Sequence, residues 1–368
     1  MTAVNAETLI GITNFLSRWI LFLAVAYKAT KAKEKGWVIL AFAFFVNALS
    51  VERYILSPLG ISVMPEAYDI ASMLSEFLTA GLLIWGVRHL RRGITVRDTV
   101  ILGVVMLTAY LWLIFGATPG FRRLPFALQR LFPIWILSLS LIYTAITLRE
   151  YAIRKGGLEE LFPAGLILLG LLDLTYPFTR NIEWFANMAF FLAAIFRIIA
   201  AVGAIKFMFY EVKPPQRIKQ EKLSPGAYLF TSEKELLSRF PKIFSENNVI
   251  AITRKPPQTF PSSNDIIIYW VTKVKEEQID DKTFAISPTR IDILIDLVTK
   301  ALNRGYNLIY IDAFEYIMIE NDFKTALKFL LSLKDRAISQ GKVLVAVINL
   351  DALGEKERKL IEREFEKM

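Results

Sequence analysis

The chain has 368 residues, 54% of them hydrophobic, and a mean hydropathy of +0.41, more than a soluble domain carries, so much of its apolar surface must face lipid. With 0 Cys and the single histidine His89, disulfides, thiolate nucleophiles and cysteine- or histidine-rich metal centres are excluded. The formal charge of +9, from 44 Lys and Arg against 35 Asp and Glu, is accounted for by loops beside anionic lipid headgroups, with no need of nucleic acid.

A helix needs roughly 20 apolar residues to cross the hydrocarbon core. Seven stretches meet that length, at residues 7–27, 36–56, 66–87, 98–117, 124–148, 161–178 and 184–210, and predict a polytopic α-helical bundle of seven transmembrane helices over residues 1–210. The first stretch has no basic leader and is followed by further spans, so it is not read as a cleavable signal peptide. Positive charge collects after the first, third and fifth spans, at Lys28, Lys31, Lys33 and Lys35, at Arg88, Arg91, Arg92 and Arg97, and at Arg149, Arg154 and Lys155. The opposite loops carry only Arg122, Arg123 and Arg180. The positive-inside rule then puts the amino terminus outside and the carboxyl-terminal part in the cytoplasm, with the bundle in the plasma membrane.

Charges within a span cost about 2.5–3.5 kcal/mol each, so every one is a candidate functional residue. They are Arg18, Glu76, Arg130, Asp173 and Arg197, with Asn47 at similar depth. Depth along the spans groups Glu76 with Arg18 or Arg197, and Asp173 with Arg130. Two roles fit these residues: a polar pocket or ion path, or structural pairing that staples the bundle, the second favoured by the near balance of signs. Retinal chemistry is set aside, because Arg197 stands where the seventh span would need a lysine. Intramembrane proteolysis is set aside too, because His89 falls in an inner loop among Arg88, Arg91 and Arg92 and reads as a headgroup contact. Ala189, Ala193, Ala194, Ala200, Ala201, Gly203 and Ala204 allow the seventh span to pack closely on a neighbour.

Residues 211–225 form a basic linker stiffened by Pro214, Pro215 and Pro225, its cations next to the inner leaflet. Beyond it, apolar runs alternate with helical patterns. Strands are expected at 227–230, 249–253, 266–272, 307–312 and 343–349, and helices at 232–244, 288–304, 322–340 and 355–366, the first opened by Ser232 and Glu235 at capping-box spacing. The result is a cytoplasmic α/β three-layer domain over residues 226–368 with a mostly parallel sheet of about five strands. Ligands of such sheets sit off the carboxyl ends of the strands, where Arg254, Trp270, Asp312, Glu315 and Tyr316 are the expected interaction edge. Trp270 fits sheet core equally well, and Asp312 a strand-end cap. No G-x-x-x-x-G-K-[ST] is present, and Gly341–Lys342 precedes a strand, so Asp312 has no phosphate loop against which to hold a metal. No catalytic residue and no cofactor are expected.

The segments AYLF (227–230), TRKPP (253–257), YWVT (269–272), IDAFEYI (311–317), NDF (321–323) and FLLSLKD (329–335) resemble the archaeal domain-of-unknown-function family 835. The resemblance implies a RecA- or KaiC-like core without its P-loop, of a kind fused to membrane spans or signalling modules. It makes an archaeal membrane receptor or scaffold the leading expectation, with cytosolic partners among KaiC-like ATPases and chemosensory or motility proteins, and with homo-oligomers as an option. The Lys-, Glu- and Arg-rich soluble part points to a thermophile. The rival is a transporter or channel regulated by the cytoplasmic domain. Against it stands an odd span count without visible internal repeats. A catalytic signalling enzyme lacks a phosphoacceptor histidine, a P-loop and a metal cluster.

Overall fold

The computed structural model describes residues 6–32, 34–50, 64–92, 96–152, 157–207, 212–215, 223–261, 265–274 and 276–367. Two compact units divide the chain, Met1–Phe209 and Tyr210–Met368. Most of the sequence-predicted linker and of the loop after the second span lies outside the described residues.

The first unit is helical: α1 (Ala6–Ala32), α2 (Lys35–Leu49), α3 (Pro65–Arg92), α4 (Val96–Gly116), the single turn α5 (Pro119–Arg122), α6 (Phe126–Glu150), α7 (Leu161–Thr179) and α8 (Glu183–Lys206). Six of these, α1, α3, α4, α6, α7 and α8, are long and apolar enough to cross a membrane. The exception is α2, whose 15 residues make about 22 Å of helix against about 30 Å of hydrocarbon. The rest of the second predicted span, beyond Ser50, falls outside the described residues. His89 belongs to the last turn of α3 and not to a loop, because the apolar pattern runs through Leu90 before the chain turns.

Small residues set the closest approaches. A Cβ at Gly203 in α8 would stand 2.1 Å from the Phe162 amide nitrogen of α7, and one at Gly165 in α7 would stand 2.7 Å from backbone atoms of Phe196 and Ala200. The part of the small-residue stripe around Ala200 and Gly203 therefore meets α7 of the same chain. By contrast α4 packs on α3 and leaves Val96, Val100, Val104, Leu107 and Leu111 exposed at helical spacing.

The second unit is an α/β sandwich. Its sheet is mixed and runs β4-β5-β3-β2-β6-β7-β1-β8, with β1 (Gly226–Phe230), β2 (Val249–Thr253), β3 (Ile266–Val271), β4 (Glu277–Asp280), β5 (Thr283–Ile286), β6 (Leu308–Ile311), β7 (Val343–Val347) and the two-residue β8 (Glu366–Lys367). All pairings are parallel except β4 with β5. The five expected strands are β1, β2, β3, β6 and β7; sequence pattern missed the β4–β5 hairpin and β8. EQID and TFAI are four residues each, too short to show period-2 alternation. Their turn is set by Asp280, whose Oδ1 accepts from the Lys282 amide at 2.8 Å.

Helices α9 (Glu233–Arg239), α10 (Ile243–Glu246), α11 (Ile291–Asn303), α12 (Phe314–Glu320), α13 (Phe323–Ser339) and α14 (Glu355–Glu364) complete the unit. Instead of the one helix expected over 232–244 there are two. Pro241 supplies no N–H and pushes Phe240 out of the helical region to φ −130°, ψ 68°. One face of the sheet, with Tyr228, Val249, Ile266, Tyr310 and Val345, packs a core with Leu236, Ile243, Phe244 and Phe260. Helix α13 lies along β1, β6 and β7, beside α11. The parallel core strands are buried, β1, β2 and β6 at every residue, as parallel strands covered on both faces are, whereas the antiparallel edge strand β4 is half-buried to exposed.

Candidate functional site

In the helical unit a cavity of about 510 Å³ is walled by α1, α2, α3, α6, α7 and α8. Arg18, Asn47, Glu76, Arg130, Asp173 and Arg197 all line it, one from each of those six helices. The residues singled out as charges in apolar spans are thus brought together. Asp69, Arg180, Ser50 and Ser72 also line it; they sit at span ends, where flanking polar residues are ordinary and give no signal.

Each arginine is held differently. Arg18 is buried, at 9% exposure, and its Nε donates to Asn14 Oδ1 at 3.2 Å. Its Nη1 donates to the carbonyl oxygens of Asn47, at 3.4 Å, and of Ser50. A cation from α1 thereby caps the carboxyl end of α2, where unbonded carbonyls and the helix dipole favour positive charge. Asn47 contributes its backbone to this contact. Arg130 donates to Asp69 Oδ1 at 2.9 Å and to Ser72 Oγ at 2.7 Å, and its Nη1 lies 3.7 Å from Glu76 Oε1. The turn spacing of Asp69, Ser72 and Glu76 on α3 lets one guanidinium reach all three, a contact that depth along the spans does not indicate. The Arg180 guanidinium lies over the Phe190 ring, 5.2 Å from its centroid. Arg197 is 5% exposed and shares one face of α8 with Ala186, Ala189 and Ala193, which also line the cavity. Alanines there, in place of large side chains, leave the space open.

In the α/β unit the expected edge forms around a topological switch point. From β2 the chain continues to β3 on one side, and from β6 to β7 on the other, so the connections of two neighbouring strands leave in opposite directions. Asp312, just past β6, accepts from the Arg254 amide at 3.3 Å and from the Tyr310 hydroxyl at 3.0 Å. Lys255 Nζ lies 3.5 Å from Asp312 Oδ2 and is ion-paired with Glu233. Burial, with Asp312 and Glu233 close by, pushes the Tyr310 phenol up, so it stays a donor. The Arg254 guanidinium stacks on Tyr316, 3.9 Å from the ring centroid, and its Nη1 donates to the Val271 carbonyl at 3.2 Å. Trp270 packs against the core cluster while its Nε1 donates to the Arg254 carbonyl at 3.2 Å, so it is both core and edge. Glu315 accepts from the Asn349 amide at 2.6 Å, at the end of β7. Lys255, Glu233 and Tyr310 complete this cluster; in sequence they look like a solvated cation, a helix-start carboxylate and a strand residue.

A mixed, mostly parallel sheet with a polar switch-point edge, in a sequence without a P-loop motif, defines the class of the second unit as a P-loop-less open α/β domain. Its family follows by comparison: residues 229–365 match the family described as Protein of unknown function (DUF835), so this unit carries a DUF835 domain. The match does not extend into the helical unit. No curated protein and no solved structure matches the chain.

Proposed function

We propose that the chain is a membrane receptor whose helical bundle binds a small molecule in the cavity and whose DUF835 domain is a non-catalytic docking module. The carrying observation is the convergence of Arg18, Asn47, Glu76, Arg130, Asp173 and Arg197, one per helix, on a single space of about 510 Å³. Pairs that only staple helices would close the space between them. Charge in a lipid-embedded bundle is costly, and retaining it around a volume typical of ligand pockets, about 300–1,000 Å³, is the arrangement of a binding site. Excess Lys and Arg in the loops after the first, third and fifth apolar stretches supports a cytoplasmic DUF835 domain.

The docking reading is supported by the closure of the switch-point edge. The oxygens of Asp312 are taken up by Arg254, Tyr310 and Lys255, and the sequence holds no G-x-x-x-x-G-K-[ST] motif to cradle phosphate, so the edge suits protein recognition better than phosphoryl chemistry. The family resemblance suggests KaiC-like ATPases or chemosensory proteins as partners. Pull-down from native membranes with the full chain, compared with Arg254→Glu and Tyr316→Ala variants, tests this. Recovery of the same soluble protein by all three would overturn the edge assignment. A second reading, a regulated transporter, is favoured by the same placement of Glu76 and Arg197. Proteoliposome flux that disappears with Glu76→Gln would replace the receptor by the transporter; saturable binding without flux supports the receptor.

A further inference from the structure

The cavity belongs to one end of the bundle. In the six helices that wall it, the lining residues set furthest in are Arg18 of α1, Asn47 of α2, Glu76 of α3, Leu137 of α6, Leu172 of α7 and Arg197 of α8. The other lining residues lie between these and a single end, towards the carboxyl ends of α2 and α7 and the amino ends of α3, α6 and α8. Beyond the cavity each helix continues for roughly 14–24 Å, at 1.5 Å per residue. That remainder is closed. Val25, Leu40, Leu83, Ala145, Leu166 and Ala201, one from each helix, are buried there. Glycines bring the backbones together: a Cβ at Gly86 in α3 would stand 2.9 Å from the Leu40 side chain of α2, and one at Gly165 in α7 would stand 2.7 Å from the backbone of α8. Exposure falls in the same direction, from 57% for the Asp69 side chain to 18% for that of Glu76, two turns further along α3.

The closed end carries the Lys- and Arg-rich connections that follow the first, third and fifth apolar stretches, which the positive-inside rule assigns to the cytoplasm. Resting on the receptor reading above, we infer that the cavity is a one-ended pocket open to the extracytoplasmic side, which takes a water-borne, hydrogen-bonding solute from outside and does not pass it across. Its wall suits such a solute, since arginine and carboxylate side chains stand there with Asn47, Ser72 and Thr175.

Because the chain has 0 Cys, one introduced thiol reports access without background. The full chain is tested in right-side-out and inside-out membrane vesicles with two membrane-impermeant probes, sulfonatoethyl and trimethylammonioethyl methanethiosulfonate, and modification is read by mass spectrometry. Their opposite charges remove any bias from the charged wall. Ala186→Cys, Ala189→Cys and Ala193→Cys step inwards along α8 on the cavity wall, and three positions keep the test decisive where one variant fails to fold. Ile319→Cys, exposed in the DUF835 domain, marks the face on which that domain lies. The α8 thiols are expected to react from the extracytoplasmic face alone, fastest at position 186 and slowest at 193, and Ile319→Cys from the cytoplasmic face alone. Reaction of the α8 thiols from the same face as Ile319→Cys, in the reverse order, or from neither face overturns the inference and leaves the receptor reading standing. Reaction of the α8 thiols from both faces breaks the closed end, and the receptor falls with it in favour of the transporter.

Discussion

At Gly203 the packing of α8 on α7 comes down to one missing methyl group. An added Cβ would meet the Phe162 amide nitrogen at 2.1 Å and the Leu161 carbonyl carbon at 2.7 Å, both backbone atoms that no rotamer change can move. Gly203→Ala is therefore expected to destabilise the bundle by about 3 kcal/mol, the upper range for overpacking. Gly103 in α4 is the control, because a Cβ there meets nothing within 4 Å. Gly103→Ala should be neutral, or stabilising by up to about 1 kcal/mol through helix propensity. Thermal midpoints of the two variants in the same detergent check the contrast. Residue-scale chemistry also fixes a pH response in the DUF835 domain. Hydrogen bonds from the Thr231 amide and hydroxyl hold Glu235 below its usual 4.5, and those from the Thr325 amide and hydroxyl hold Asp322 below its usual 3.8. A carboxyl whose folded pKa is depressed stabilises the fold above its unfolded value and loses that stability as pH falls through the folded one. Amide-exchange protection at Thr231 and Thr325 should accordingly fall as pH drops below 4.5 and 3.8 in turn. Asp322→Asn should flatten the response at Thr325 alone.

Among elements, α3 and α4 are joined at one end by the ion pair of Arg88 with Asp98, whose side chains are 19% and 1% exposed. Removing one partner of a buried pair strands the other, which costs about 3–5 kcal/mol. Asp98→Ala should lower the melting midpoint markedly, and Asp98→Asn less, because the amide oxygen still accepts from Arg88. Equal losses in the two variants would show that the carboxylate's charge, and not its hydrogen bond, holds the helices. How far elements could be read from sequence follows from what signals they carry. The long helices and the five core strands announce themselves because lipid or double burial demands uninterrupted apolar runs. The split of α9 from α10 needed the local consequence of Pro241 to be weighed above the capping pattern that starts the helix. The β4–β5 hairpin owes its place to pairing with β3, a long-range contact that no local pattern encodes. For the cavity, a charge inside an apolar span is conspicuous, so Arg18, Glu76, Arg130, Asp173 and Arg197 were legible. The contact of Arg130 with Asp69 and Glu76 was not, since it follows from their spacing along α3 and not from depth alone. Asp69 and Arg180 were hidden by their position, at span ends where charge costs little.

For the whole molecule, the separation into Met1–Phe209 and Tyr210–Met368 carries its own prediction, because the second unit holds a complete core and a closed set of sheet pairings. A fragment of residues 210–368 is expected to fold alone, with a dispersed NMR spectrum and one cooperative melt. A fragment cut to the family limits, 229–365, is expected to fold poorly, although it contains nearly every residue of the matched domain. The cut removes Gly226, Ala227 and Tyr228, which pair with Val343, Leu344 and Val345 of the neighbouring β7. It also removes Glu366 and Lys367, which cover the other side of β1 at Tyr228 and Leu229. Tyr228 is 3% exposed, belongs to the core cluster and donates to the Ser224 carbonyl at 2.9 Å. Loss of one buried aromatic side chain alone costs about 3–5 kcal/mol, comparable to the whole stability of many domains of this size. Further upstream, the Lys213 carbonyl accepts from the Tyr306 hydroxyl at 3.2 Å, and Lys213 Nζ pairs with Asp281 at 2.6 Å. These tie the start of the unit to two parts of the fold far away in sequence. A third fragment, 223–367, restores β1 and β8 but not Lys213. Its stability should fall between the other two and closer to that of 210–368, since a single hydrogen bond and an exposed ion pair together contribute about 1–2 kcal/mol. Chemical denaturation of the three fragments side by side gives the order. If 229–365 proves as stable as 210–368, then β1 does not depend on its first three residues, and the parallel pairing with β7 described here is wrong in register or in energetic weight.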